Sequence, residues 1–208
     1  MPLQNRVHPS GDLKAVSDRG LFLGNRGGEI HDETSRTLHP KRRWASKQWI
    51  CCVLSFKDRQ RTVMGNSYTE LFFMDEVTAL AAGHRPCFEC RRKDAVSFAT
   101  AWGSDTTRTS AAQMDAILHA ERLDGKSKRV HQIDWEDLPV GAIVATNNQF
   151  IAKSGDGPLI WSFEGYRLAD SQLTAALQRQ VNCLTPPSVL TALKRGYQPH
   201  WHPSAMQE

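Results

Sequence analysis

The segment Gly83-His84-Arg85-Pro86-Cys87-Phe88-Glu89-Cys90-Arg91-Arg92 constrains this chain more than any other. It places two cysteines at C-x-x-C spacing in a short basic loop. Just before it, Asp75 to Ala82 reads as a short helix, with Asp75 as its N-cap and Gly83 as its stop. Two thiolates three positions apart can reach one metal ion without distorting the backbone. The loop therefore supplies half of a tetrahedral zinc site, and zinc is the expected cofactor. Any fold this chain adopts has to bring further ligands to that loop.

Cys51 and Cys52 are the first candidates. They are adjacent in residues 48–56, a β-branched and aromatic run that reads as a strand, so their side chains point to opposite faces. One of the two is expected to reach the metal. Cys52 is preferred, because Trp49 shares a face with Cys51 and its indole would crowd an ion there. The fourth ligand is open among His31, His39 and His84. His84 extends the spacing to His-x-x-Cys-x-x-Cys.

The 208 residues are 40% hydrophobic and 23% charged, a globular balance that allows a sizeable core. Met1 to Arg6 has no signal-peptide core, and no run approaches the ~18 apolar residues of a membrane span. With five cysteines, an odd number, the expectation is a cytoplasmic protein with reduced thiols and no membrane partner.

The expected fold class is α+β. Residues 1–125 form a zinc-binding α+β region with a mixed sheet, and residues 126–208 a small antiparallel β-rich region with a C-terminal helix. In the first region, strands are expected at Leu21–Leu23, at 48–56 with a return at Arg61–Met64, and at Tyr68–Met74. Gly24-Asn25-Arg26-Gly27-Gly28 reads as a turn. Helices are expected near 93–102, ending at Gly103, and near 110–124, ending at Gly125. The second of these carries an apolar stripe of Ala111, Met114, Ile117, Leu118 and Leu123. Gly125 to Arg129 reads as an exposed linker between the regions. Beyond it come strands at 139–145, 149–153 and 159–163, with Asn147-Asn148 as a hairpin turn. Thr185 is expected to cap a final helix ended by Gly196.

The net charge is +4, gathered in four clusters: Lys41-Arg42-Arg43, Lys57 through Arg61, Arg91-Arg92-Lys93 and Lys126 through Arg129. Basic clusters near a metal loop suit phosphate, so nucleic acid, DNA first, is the expected partner. Arg42, Arg43, Arg91, Arg92 and Lys93 are the candidate contacts. Trp44, Trp49 and Phe88 are candidate stacking residues, with core packing as the alternative for Trp49.

The stretch from Phe72-Phe73 to Arg91, with its Ala79-Leu80-Ala81-Ala82-Gly83 helix end and Arg85-Pro86-Cys87-x-x-Cys90-Arg91, resembles the zinc-binding domain at the N-terminus of the Ada DNA-repair proteins. The resemblance is close over about 20 residues and looser over 48–92. It implies that Cys87 and Cys90 are zinc ligands, and that Arg85 and Arg91 pack the loop or contact phosphate. In that family an earlier C-x-x-x-C pair completes a four-cysteine site, and one early cysteine accepts a methyl group from a DNA phosphotriester. This chain has Cys51-Cys52 instead. The whole chain also resembles a group of bacterial proteins sharing Gly24-Asn25-Arg26-Gly27-Gly28 and Tyr68-Thr69-Glu70-Leu71-Phe72-Phe73, a resemblance that implies no activity.

Three functions follow as expectations. The first is a zinc-stabilised nucleic-acid-binding protein in DNA repair or metabolism. The second is a zinc-dependent enzyme: either an alkyl acceptor on a zinc thiolate, or a hydrolase acting on nucleic acid with Glu76 or Glu89 as base. The third is an interaction module anchored by Trp161, Phe163 and Tyr166. His119 and Glu121 lack the second histidine of a His-Glu-x-x-His site and read as an exposed face.

Overall fold

The helix Glu76–Ala81 is buried along its whole length, and both large sheets pack against it through different residues. A short helix that is covered all round can be nearly all apolar, which is how Val77-Thr78-Ala79-Leu80-Ala81 reads. The computed structural model describes every residue except 61, 104–108, 147–148, 178 and 207–208.

The first half runs β1 (Arg6–Val7), β2 (Leu13–Lys14), β3 (Phe22–Arg26), β4 (His31–Asp32), β5 (Thr37–Leu38), β6 (Trp49–Val53), β7 (Leu71–Phe73), α1 (Glu76–Ala81), β8 (Arg85–Pro86), α2 (Arg92–Trp102) and α3 (Ala111–Arg122). There follow β9 (Leu123–Asp124), β10 (Ser127–Lys128), β11 (His131–Asp134), β12 (Ile143–Thr146), β13 (Gln149–Lys153), β14 (Pro158–Trp161), β15 (Tyr166–Leu168), α4 (Ser171–Ala176), β16 (Gln180–Cys183) and α5 (Pro187–Lys194).

The fold is α+β, as expected. One sheet has the order β2-β1-β7-β3-β6-β8 and is mixed, with parallel β1–β7 and β6–β8 pairs. The other, β11-β16-β12-β13-β14-β15, is wholly antiparallel. Ala79 and Ala82 join a cluster with Phe22, Cys51, Leu71 and Phe73 of the first sheet. Val77 and Ala81 join Ile143, Leu159 and Trp161 of the second. α5 packs on α2 and α3, with Val189 and Leu193 beside Phe98, Met114 and Leu118.

The buried N-cap of α1 ties these parts together. Asp75 Oδ1 accepts from the Thr78 N–H at 2.8 Å, and its Oδ2 accepts from the Tyr166 hydroxyl at 2.9 Å. Trp161 Nε1 donates to Thr78 Oγ1 at 2.8 Å. Trp161 and Tyr166 are therefore buried bonding partners of α1, not docking anchors.

Several expected boundaries shift. β3 continues through Gly24 and Asn25 to Arg26, so the turn begins only at Gly27, whose φ is +79°. Gly24 fits inside the strand because a Cβ there would come 2.0 Å from the Ile50 carbonyl oxygen. No strand forms at 62–64, and residue 61 lies outside the described residues. Asn147-Asn148 also lies outside them, although Thr146 and Gln149 on either side pair antiparallel. Gly125 turns a tight β9–β10 hairpin rather than opening a linker, and Lys128 donates from Nζ to the Ala81 carbonyl at 2.5 Å. Thr185 does not cap α5. Its hydroxyl accepts from the Ile143 N–H at 2.9 Å, and Pro186 holds the cap position.

Candidate metal centre

β6 is the strand that decides the site. Cys51 lies on the face turned to the core and is fully buried beside Phe73 and Ala79. Cys52 lies on the opposite face, half-buried, next to Leu23 across the β3 register. β8 runs parallel to β6 and pairs Pro86 with Cys51, and Cys87 donates its N–H to the Cys51 carbonyl at 3.0 Å. That short pairing hangs the Cys87–Cys90 loop beside Cys52. Gly83 makes the approach possible. Its φ is +87°, and a Cβ there would meet the Arg122 side chain at 2.6 Å.

The sulfurs of Cys52, Cys87 and Cys90 all lie within 4.8 Å of one another. Ligands about 2.3 Å from a tetrahedral ion sit roughly 3.8 Å apart, so three thiolates at these separations fit one ion. The neighbouring Cys52 and Cys90 thiols draw the Cys87 pKa down, while that of Cys52 is pushed up by Cys87, by Cys90 and by burial. Cys87 also accepts from the Glu89 N–H at 3.4 Å. Three converging sulfurs are a set that a metal can take over as thiolates.

Among the described residues the group stops at three. His84, expected as a ligand from its spacing, is not brought to it. It is fully buried on the Trp49 and Cys51 side of β6, 5.0 Å from the Trp49 ring and 4.7 Å from the Phe73 ring, and neither of its nitrogens has a partner among the described residues. Burial, then the charges of Arg26 and Arg122, hold its pKa well below the usual histidine range, so the ring is neutral. His31 is also committed elsewhere: Nδ1 lies 2.6 Å from Thr69 Oγ1, and Nε2 lies 2.9 Å from the Gly65 carbonyl oxygen. His39 lines a different cavity.

Two of the expected phosphate contacts are internal. Arg85 is buried and grips Asp115 with two bonds of 2.8 Å. Arg91 is buried over the Phe22 ring. It bonds Glu76 at 2.8 Å and Asp94 at 2.8 Å, and donates to Cys51 Sγ at 3.4 Å. Their sequence positions look basic and exposed, but Asp115 and Glu76, which meet them in the interior, come from other elements. Arg42, Arg92 and Lys93 are exposed, and Arg43 is half-buried in an ion pair with Asp12 at 3.0 Å. Arg43 donates to the Lys126 carbonyl, and Arg59 pairs with Glu89 at 2.7 Å. Glu89 is thus an exposed ion-pair partner. Glu76, held by Arg91, Tyr197 and the His200 N–H, is structural. Trp49 is core, between Arg26 at 4.0 Å and Arg122 at 3.9 Å.

The three cysteines open onto a cavity of about 570 Å³, also lined by Asn25, Tyr68, Glu70 and Phe72. That volume suits a small ligand or a single nucleotide unit. Glu70 was not singled out by its sequence context. It is 2% exposed: Oε2 accepts from the Met64 N–H at 2.7 Å, while Oε1 is buried with no partner. Met64 makes this bond from the left-handed region, at φ +53°. The available signal was a carboxylate directly before the apolar Leu71-Phe72-Phe73, where a strand would otherwise bury only hydrocarbon.

No known protein family, curated protein or solved structure matches this chain. Among the described residues no helix is long and apolar enough to cross a membrane.

Proposed function

We propose that the protein holds a zinc ion at Cys52, Cys87 and Cys90 and binds nucleic acid, DNA first, with that centre facing the bound chain. One observation carries this reading: three thiols converge at the wall of an open cavity with no fourth ligand from the described residues. Soft thiolates select zinc over the hard cations. Three protein ligands with one open position is the arrangement of reactive rather than purely structural zinc sites. When bound, zinc keeps its thiolates deprotonated and supplies a Lewis acid. Such a centre needs reduced thiols, which the cytoplasm maintains, and all five cysteines are free.

The Ada resemblance supports a role in DNA repair or metabolism. If Cys52 takes the first place of that family's early C-x-x-x-C pair, the second falls at Phe56, which lines the cavity instead. The chain would then carry a three-cysteine form of the site. With Arg85 and Arg91 internal, phosphate contact beside that centre falls to the exposed Arg92 and Lys93.

Glu70 favours a second reading, a zinc-dependent hydrolase. Its carboxylate lines the thiol cavity and has one oxygen without a partner among the described residues, which suits a general base once water is admitted to it, and Asn25 on the same cavity can orient a polar substrate.

The test uses chelator-free protein. It is expected to contain zinc and to bind short DNA with an affinity that falls linearly in log–log form with salt. Arg92→Gln and Lys93→Gln together should flatten that slope. No retention on DNA at low salt contradicts the binding reading. If DNA is cleaved, Glu70→Gln should abolish turnover while zinc content stays unchanged.

A further inference from the structure

We infer that the protein carries a second, anion-binding site: a cavity of about 460 Å³ lined by Arg26, Arg42, Arg43, Lys14 and His39, suited to a phosphate group. It goes beyond the metal centre and lies on the other face of the same strand. Asn25 and Arg26 are consecutive in β3, and strand geometry sends them to opposite sides. Asn25 lines the thiol cavity and Arg26 lines this one.

Arg26 is the anchor. It is 1% exposed, yet among the described residues no carboxylate pairs with it. Its Nη2 donates to the Gly11 carbonyl at 2.5 Å, and its buried Nε has no partner among the described residues. Its guanidinium lies 4.0 Å from the Trp49 ring, and Arg122 sits 3.9 Å from the same ring, so a second cation lies close by. Burial, then the charge of Arg43, press Arg26 down to about 9. The guanidinium still holds its proton near neutral pH. The fold therefore keeps a buried, unpaired positive charge, which normally persists only where something outside the chain compensates it.

The rest of the cavity suits that compensation. Asp12 is its one carboxylate, and it is already engaged by Arg43 at 3.0 Å and Ser10 Oγ at 3.1 Å. Four basic side chains face that single acid, with His39 able to donate as well. Guanidinium groups match tetrahedral oxyanions in geometry and charge. The volume exceeds that of a bare phosphate and leaves room for the group that carries it. Two sources share this chemistry: a nucleic-acid phosphate and a small phosphorylated molecule.

The test is calorimetric titration of the zinc-loaded protein with inorganic phosphate, against chloride at equal ionic strength. Saturable binding with a raised melting temperature is expected. Arg42→Gln with Arg43→Gln should weaken it about tenfold or more, the loss expected for charge-assisted hydrogen bonds. Both positions are at least partly exposed, so the variant should fold, and its melting temperature without phosphate checks this. A response no different from chloride, or one equal in wild type and folded variant, overturns the site. A second arm adds short oligonucleotides with and without a terminal phosphate. Displacement of phosphate by them identifies a nucleic-acid source. Phosphate binding that they do not displace supports a small phosphorylated ligand at this site. DNA binding without saturable phosphate binding overturns this site and leaves the nucleic-acid reading standing.

Discussion

The two faces of β6 show how far chemistry depends on direction rather than on sequence spacing. One face carries Cys52, which meets Cys87 and Cys90 at an open cavity. The other carries the buried Trp49 and Cys51, packed with His84, Arg26 and Arg122. Cys51 and Cys52 are neighbours in the chain but face opposite environments. His84 is three residues from Cys87 and lies on the wrong side of the strand. A thiol on the closed face is inert, and burial pushes Cys51 up. A thiol on the open face joins a set of donors that a metal can take over.

The largest effects should come from removing a ligand. Cys87→Ser or Cys90→Ser is expected to lose the metal and cost more than about 4 kcal/mol in chemical unfolding, because the binding energy of the ion is folding energy. Equal stability and equal metal content in these variants would break the comparison at its open face. If the centre accepts alkyl groups, incubation with DNA carrying methyl phosphotriesters should add the mass of one CH₂, mapped to Cys52 and not to Cys51.

Next come the internal ion pairs that hold the loop. Arg85→Ala leaves Asp115 buried and uncompensated, and Arg91→Ala does the same to Glu76. Each should cost about 3–5 kcal/mol. A loss of DNA affinity without any loss of stability would return these residues to the surface role that their sequence suggests.

The closed face makes a smaller, pH-dependent prediction. His84 is held neutral in the folded state, while the unfolded chain titrates near the usual histidine value. As pH falls below about 6.5, the unfolded state binds the extra proton, so stability falls. His84→Leu removes two buried, unpartnered nitrogens. It should flatten the acid limb of stability against pH and keep the metal. Loss of metal in this variant would restore His84 as a ligand. The smallest effect belongs to the exposed residues: Arg92→Gln and Lys93→Gln should change stability by less than about 0.5 kcal/mol.

Much of the scaffold was legible because it rests on local signals. Asp75 and Gly83 bound a helix by capping chemistry, and strand alternation separated Cys51 from Cys52. What stayed hidden depends on contacts distant in sequence. Helix α3 buries Asp115 and Arg122 beside Met114 and Leu118, whereas Ile117, read as part of its apolar stripe, is exposed. Those two charges are in the interior only because Arg85, Gly83 and Trp49 receive them. The same holds for Arg91 and Glu76, and for Glu70, whose partner is a backbone N–H in an irregular segment. Hydrophobic periodicity marks where apolar atoms go and cannot see a buried charge that is paired across the fold.

The central claim is that β6 presents one metal-binding face and one closed face. Metal analysis of chelator-free Cys51→Ser and Cys52→Ser, each beside the wild type, tests it most directly. Metal is expected in the wild type and in Cys51→Ser, the latter destabilised by about 1–3 kcal/mol for its buried hydroxyl, and loss of metal in Cys52→Ser. Metal retained in Cys52→Ser and lost in Cys51→Ser would contradict it.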